Sequence, residues 1–247
     1  MPDRRTLRVC ALYPDLMNIY ADRGNLLLLR RRCEWRGIGF EVTQAGIGDR
    51  IDPDAHDLFY LGGGQDRDQL LCAEDLVEVK RDALHEAARR GAVVLGICGG
   101  LQLLGHHYEL EDRQVPGLGL VDLRTVREEG PRLIGNVAIE VDLPGLDGPR
   151  VLAGFENHGG RTYLGPDARP LGRVLRGHGN DGRSGFEGVH EGTVIGTYLH
   201  GPLLPLNAWF ADWLTARALG IHPAELPGLD DELESAAHAS ARRAAGL

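Results

Sequence analysis

Through the first half of the chain, short apolar runs alternate with longer segments of helical periodicity. Leu7 to Tyr13 reads as a buried strand, and Asn25 to Gly37 as a helix with an apolar Leu26 to Leu29 face and Arg30 to Arg32 turned to solvent. Asp57 to Leu61 reads as a second strand, closed by Gly62-Gly63-Gly64, and Glu74 to Arg90 as a long amphipathic helix. Ala92 to Ile97 is a third strand that feeds a helix beginning near Gly99. Strands alternating with helices predict an α/β fold of three layers, with a mostly parallel central sheet and helices on both faces.

The texture changes after Pro116. Glycine becomes frequent, helical periodicity fades, and segments such as Asn136 to Val141 and Thr193 to Leu199 read as strands, so antiparallel extensions of the sheet are expected here. Pro205 to Leu219 carries Trp209, Phe210, Trp213 and Leu214 at helical spacing, which predicts a helix packed on the body of the fold. From Gly220 onward Ala, Arg, Glu and Asp dominate. The expected organisation is one domain over residues 1–219 and a helical or flexible tail over residues 220–247.

Composition narrows the function classes. With 247 residues, 43% hydrophobic and 26% charged, the chain can bury a sizeable core, which excludes disorder as its main state. Lys and Arg total 27 against 36 Asp and Glu, a net charge of -9, so no overall basic field favours nucleic acid as a partner. No apolar run approaches the length of a membrane span, and Met1 to Arg8 lacks a signal-peptide core, so a cytoplasmic location is expected. Cys10, Cys33, Cys72 and Cys98 form no CxxC pair, and the neighbours His106 and His107 have no third ligand at metal spacing. Neither a disulfide framework nor a metal site is expected. Lys80, the sole lysine, sits in a helical stretch and no GxxxxGK[ST] loop occurs, so an ATP-dependent step calls for another chain.

One segment points to covalent chemistry. Gly96-Ile97-Cys98-Gly99-Gly100 joins an apolar strand to a helix, the setting of a nucleophile elbow with Cys in the serine position. A thiol there feels the positive end of the helix and nearby backbone N–H groups, which favour thiolate. Gly62-Gly63-Gly64 ends the adjacent strand at the same sheet edge, so an N–H from Gly63 or Gly64, together with that of Gly99, could stabilise an oxyanion. A base is also required. Of ten histidines, His200 follows the apolar run Ile195 to Leu199 and would be delivered to a strand end, with His158 as the second candidate.

In this order, the triple-glycine strand end, the Cys98 elbow followed by Gln102, and Thr197-Tyr198-Leu199-His200-Gly201-Pro202 resemble the class I glutamine amidotransferases, which have a flavodoxin-like fold. Tyr20-Ala21-Asp22-Arg23-Gly24-Asn25 and the string from Gly154 to Tyr163 are similar to the cobyric-acid-synthase-type branch, and within it to the GatD family of lipid II isoglutaminyl synthase glutaminases. The resemblance spans Leu7 to about Leu206. It implies that Cys98 attacks the side-chain amide of L-glutamine, that His200 serves as base and then acid, that Arg132 binds glutamine and that Gln102 helps to position it. The carboxylate that usually stands two residues after the histidine is Pro202 here. The resemblance moves that role to Asp22, for which an N-cap is the competing reading, with Glu156 as a second candidate. It further implies a heterodimer with a MurT-like Mur-ligase subunit that carries the ATP and Mg and reaches lipid II, no cofactor being expected in this chain. The alternatives are a cobyrinate-type acceptor, a non-catalytic scaffold, against which the retention of Cys98, His200, the triple glycine and Arg132 stands, and a Cys hydrolase of peptides.

Overall fold

The computed structural model describes residues 5–19, 22–110 and 113–247; Tyr20 and Ala21 of the Tyr20 to Asn25 segment lie outside them. The chain opens with β1 (Thr6–Leu12), α1 (Arg23–Trp35), β2 (Gly39–Ala45) and β3 (Leu58–Leu61). A continuous helical run follows, made of α2 (Asp66–Asp75), a π-helical turn (Leu76–Lys80) and α3 (Arg81–Arg89). Next come β4 (Val93–Ile97) and the short α4 (Gly99–Leu104).

The glycine-rich region supplies β5 (His107–Glu109), β6 (Gln114–Pro116), β7 (Leu123–Arg127), β8 (Leu133–Val141) and β9 (Arg150–His158). It continues with β10 (Gly160–Leu164), β11 (Gly172–Arg176), β12 (Phe186–Glu187), β13 (Val189–Glu191) and β14 (Val194–Thr197). Three α-helices close the chain, α5 (Leu203–Leu206), α6 (Ala208–Ala218) and α7 (Glu232–Ala244), with a 3-10 turn (Pro223–Glu225) between the last two.

The central sheet has the order β13-β14-β4-β3-β1-β2, parallel except for the edge strand β13. Every residue of β3, β4 and β14 is buried, as expected of inner strands covered on both faces. Read from β2, the parallel strands run 2-1-3-4 and then β14, a doubly wound order whose ligands bind beyond the carboxyl ends of the strands. Asp22 follows β1, the triple glycine follows β3, Cys98 follows β4 and His200 follows β14. The topology therefore brings all four to one edge.

Several elements depart from expectation for physical reasons. The apolar pattern does not predict β2, because it is an edge strand whose Glu41, Thr43 and Gln44 interrupt any apolar run. The long helix starts at Asp66 rather than Glu74, since two of the four positions that α2 buries, Gln69 and Asp75, are polar and leave its apolar periodicity weak. The antiparallel region does not simply extend the central sheet. It builds two further four-stranded sheets, β10-β7-β5-β6 and β12-β11-β8-β9, and returns only β13 and β14 to the first.

Arg32, expected in solvent, is 1% exposed and bonds to both Asp212 and Asp231, while Leu27 is the residue turned outward. Lys80 is fully buried at the end of the π-turn, where its ammonium meets Asp75, donates to the Gly46 carbonyl at 2.9 Å and lies 4.9 Å from the centre of the Tyr13 ring. Trp213, Phe210 and Leu214 of α6 are core, with the rings of Phe210 and Trp213 stacked. Beyond Gly220, α7 packs on α5, α6 and β9. No helix among the described residues is long and apolar enough to cross a membrane.

Candidate active site

Cys98 caps α4 at φ 51 and ψ -102, a region that residues with a side chain rarely occupy. Strain of about 1–3 kcal/mol is typical of such a residue and persists only where the surroundings impose it. They do so here. The Cys98 N–H is held by the Thr197 carbonyl at 2.8 Å, and the elbow is pressed against its neighbours so closely that a Cβ on Gly99 would collide with Gln69 and one on Gly100 with the Leu61 backbone. Glycine on the far side of the thiol is a steric requirement of this turn. At 9% exposed, Cys98 meets solvent through a cavity of about 370 Å³, whereas Cys10, Cys33 and Cys72 are sealed in the core.

Behind the thiol stands His200, wholly buried, with its imidazole electrostatically coupled to Cys98. Its backbone is pinned by a two-way bridge to Phe155, N–H to carbonyl 2.7 Å in one direction and 3.1 Å in the other. Its Nδ1 lies 3.8 Å from Asp22 Oδ1. Burial disfavours the imidazolium, but the nearby Cys98 and Asp22 outweigh it and push His200 up to about 10. The arrangement favours an imidazolium at His200, set between Cys98 and a carboxylate.

Asp22 does not use its side chain as a helix cap; Asn18 accepts the Arg23 N–H instead, at 2.9 Å. The Asp22 carboxylate is fully buried, with Oδ2 accepting the Gly63 N–H at 2.7 Å. This corrects the expected use of Gly63. Its N–H is committed to Asp22 rather than offered to a substrate, whereas Gly64 lines the cavity and Gly99 opens α4 beside the thiol. Glu156, the other carboxylate considered, accepts the N–H groups of His178 at 2.6 Å and Gly179 at 2.9 Å and so organises a loop.

The remaining expected residues converge on the cavity. Arg132 lines it and is oriented by Asn157, whose side-chain oxygen accepts Nε at 2.9 Å and whose carbonyl accepts Nη2 at 3.0 Å. Gln102 lines the floor, accepting from Gln69 at 3.1 Å and donating to the Tyr198 hydroxyl at 3.2 Å. His158 donates from Nδ1 to the Gly160 carbonyl at 2.9 Å and stacks on Tyr198 with ring centres 3.6 Å apart. It is a wall of the cavity, and the histidine coupled to the thiol is His200. Sequence reasoning missed Gln69, Asn157, Tyr198 and Glu187 as contributors. Asn157 and Tyr198 sit inside the family motifs, but nothing in the local pattern around Glu187 separates it from a surface turn.

Comparison with known proteins follows the same lines. Residues 8–208 match the model of the CobB/CobQ-like glutamine amidotransferase domain. The GatD subunit of the glutamine-hydrolysing lipid II isoglutaminyl synthase of Staphylococcus aureus is 41% identical over 224 residues, covering 89% of this chain and 88% of that one. Its counterpart from Streptococcus pneumoniae is 39% identical over 214 residues, covering 86% and 80%. A probable cobyric acid synthase of Methanothermobacter thermautotrophicus is 35% identical over 192 residues, but only 36% of its length is covered. In fold, the chain is similar to PurLQS from Thermotoga maritima, with a TM-score of 0.59 and 21% identity over 87% of this chain and 95% of that one. It is also similar to the acivicin-bound glutaminase domain of Trypanosoma brucei CTPS, with a TM-score of 0.54 and 12% identity over 87% and 94%. The chain belongs to the CobB/CobQ-like glutamine amidotransferase family.

Proposed function

We propose that this chain hydrolyses L-glutamine as the glutaminase subunit of a lipid II isoglutaminyl synthase. Cys98 Sγ attacks the side-chain amide carbon of glutamine, and His200 carries the displaced proton to the amide nitrogen, which leaves as ammonia. Water, deprotonated by His200, then attacks the thioester and releases glutamate and the free thiol. Gly99 and Gly64 stand where N–H groups can meet the oxyanion, and Arg132 offers a guanidinium to the α-carboxylate. The observation that carries the reading is a strained, cavity-facing Cys98 electrostatically coupled to His200, which Asp22 backs.

The acceptor follows from the relatives. Similarity to the two lipid II isoglutaminyl synthase subunits extends over more of both chains than does similarity to the cobyric acid synthase, which favours the former role. Ammonia protonates in bulk water and ceases to be a nucleophile, so it is delivered through a closed path to a MurT-like subunit. That subunit binds ATP and Mg and activates the α-carboxyl of D-glutamate in lipid II, giving D-isoglutamine for peptidoglycan synthesis. The complex works in the cytoplasm at the inner face of the membrane.

Glutamate release from L-glutamine, with and without a Mur-ligase-like partner from the same source, tests this. Cys98-dependent release, stimulated by the partner, is the expected result. Turnover that survives Cys98→Ala would overturn the assignment of the nucleophile.

A further inference from the structure

Besides Glu156, which holds the loop at His178 and Gly179, two carboxyl groups lie buried near the Cys98–His200 pair, and Asp22 is the one that faces the imidazole. The other belongs to Glu187, the last residue of β12, with none of its surface exposed. A buried carboxyl is tolerated only where its oxygens are satisfied. One Glu187 oxygen accepts the Tyr198 N–H at 2.6 Å, and the Thr197 hydroxyl lies 3.1 and 2.9 Å from the two oxygens. Thr197 Oγ1 in turn accepts the Leu199 N–H at 3.1 Å. Directly or through one hydroxyl, Glu187 thus holds Thr197, Tyr198 and Leu199.

Those three residues decide the geometry of the site. Thr197 pairs with Ile97, and its carbonyl takes the Cys98 N–H. Three positions later His200 presents its imidazole to that same cysteine. In between, the chain leaves the sheet ladder, and the N–H groups of Tyr198 and Leu199 need other acceptors. Tyr198 also reaches Thr162 at 2.7 Å and Gln102 at 3.2 Å through its hydroxyl, so a shift of this stretch would disturb the cavity floor as well as the base.

We propose that Glu187 is a positioning residue of this site, its buried carboxyl clamping Thr197-Tyr198-Leu199 so that His200 meets Cys98 in a single geometry. The inference rests on the glutaminase reading for its kinetic readout and involves no contact with substrate. Burial pushes the Glu187 carboxyl up to about 8, against the lowering effect of the bonds from Tyr198 and Thr197. A protonated carboxyl presents one acceptor oxygen and one hydroxyl donor, and the Thr197 hydroxyl beside it can serve either as donor or as acceptor. Glutamine offers the same complement, an acceptor oxygen and an N–H donor, on the same skeleton.

Glu187→Ala and Glu187→Gln are compared in the full chain with its partner subunit, by kcat and KM for glutamine and by the rate at which iodoacetamide alkylates Cys98. A misplaced base lowers kcat by about tenfold to a hundredfold in Glu187→Ala while KM stays within about twofold, and alkylation slows in parallel. Glu187→Gln restores both rates to within about threefold of the parent. An alanine variant with parental kcat and alkylation, or a glutamine variant as impaired as alanine, would overturn the clamp. Should the alanine variant fail to fold, Glu187→Gln still decides, because a large loss of kcat there contradicts the proposal. If the parent alkylates at Cys98 but releases no glutamate, the glutaminase reading falls while the alkylation comparison still tests the clamp.

Discussion

His200 is the residue on which the local electrostatics converge. Its raised value means that the folded state holds the proton more tightly than the unfolded chain, whose ordinary value is 6.5. The stability contributed by that protonation is therefore fully present below about pH 6.5 and is lost as pH rises through about 10. Asn in place of Asp22 keeps an acceptor for the Gly63 N–H but removes the charge 3.8 Å from Nδ1. The His200 ring should then give up its proton at lower pH, so the stabilising window closes earlier on the alkaline side. Ring nitrogen NMR shifts, followed from about pH 5 to about pH 10, read the change directly. Turnover should fall by about a hundredfold, the lower end of what positioned acid–base catalysis supplies. An unaltered titration with parental turnover would leave Asp22 a structural acceptor for Gly63 alone.

Helix α1 shows how an element can be placed correctly while its faces are not. Leu26 to Leu29 followed by Arg30 to Arg32 suggests an apolar face and a solvated one, and an arginine without visible partners is assigned to water. The partners of Arg32 are Asp212 in α6 and Asp231 just before α7, at 2.6 to 2.9 Å, and they lie 180 and 199 positions away in the chain. Arg36 adds two more bonds to Asp212, at 2.9 and 2.8 Å. The network ties the first helix to the last third of the molecule. Arg32→Ala leaves Asp212 with Arg36 alone and Asp231 without its guanidinium, so a loss of about 3 kcal/mol is expected in urea denaturation. A change below about 1 kcal/mol would mean that solvent replaces the guanidinium without penalty.

For the molecule as a whole, what could be read from sequence was set by how local the signal was. The parallel strands β1, β3 and β4 and the strand that delivers His200 announce themselves through apolar runs, three of which end at the triple glycine, the Cys98 elbow and His200. Edge strand β2 and the two antiparallel sheets do not, because their pairing depends on distant segments rather than on their own periodicity. Glu187 is the extreme case, a carboxyl in a two-residue strand whose purpose appears only when Thr197 and Tyr198 come to meet it. The C-terminal segment follows the same logic. None of the residues in α7 is buried, yet His238 bonds to the Leu206 carbonyl at 2.9 Å, Asn136 donates to the Ala244 carbonyl at 2.8 Å, and Asp231 reaches Arg32. A chain ending at Leu226 should therefore fold and keep its Cys98-dependent turnover, because every residue placed around the thiol precedes the cut. It should lose about 1 to 3 kcal/mol, the scale of a charged hydrogen-bond pair, and Asp231→Ala in the full chain should account for most of that. Thermal unfolding of the two variants side by side separates the contributions. If truncation costs far more than Asp231→Ala, the cover that α7 gives to α5 and β9 stabilises the molecule more than the ion pair does, and the helix belongs to the domain rather than to its edge.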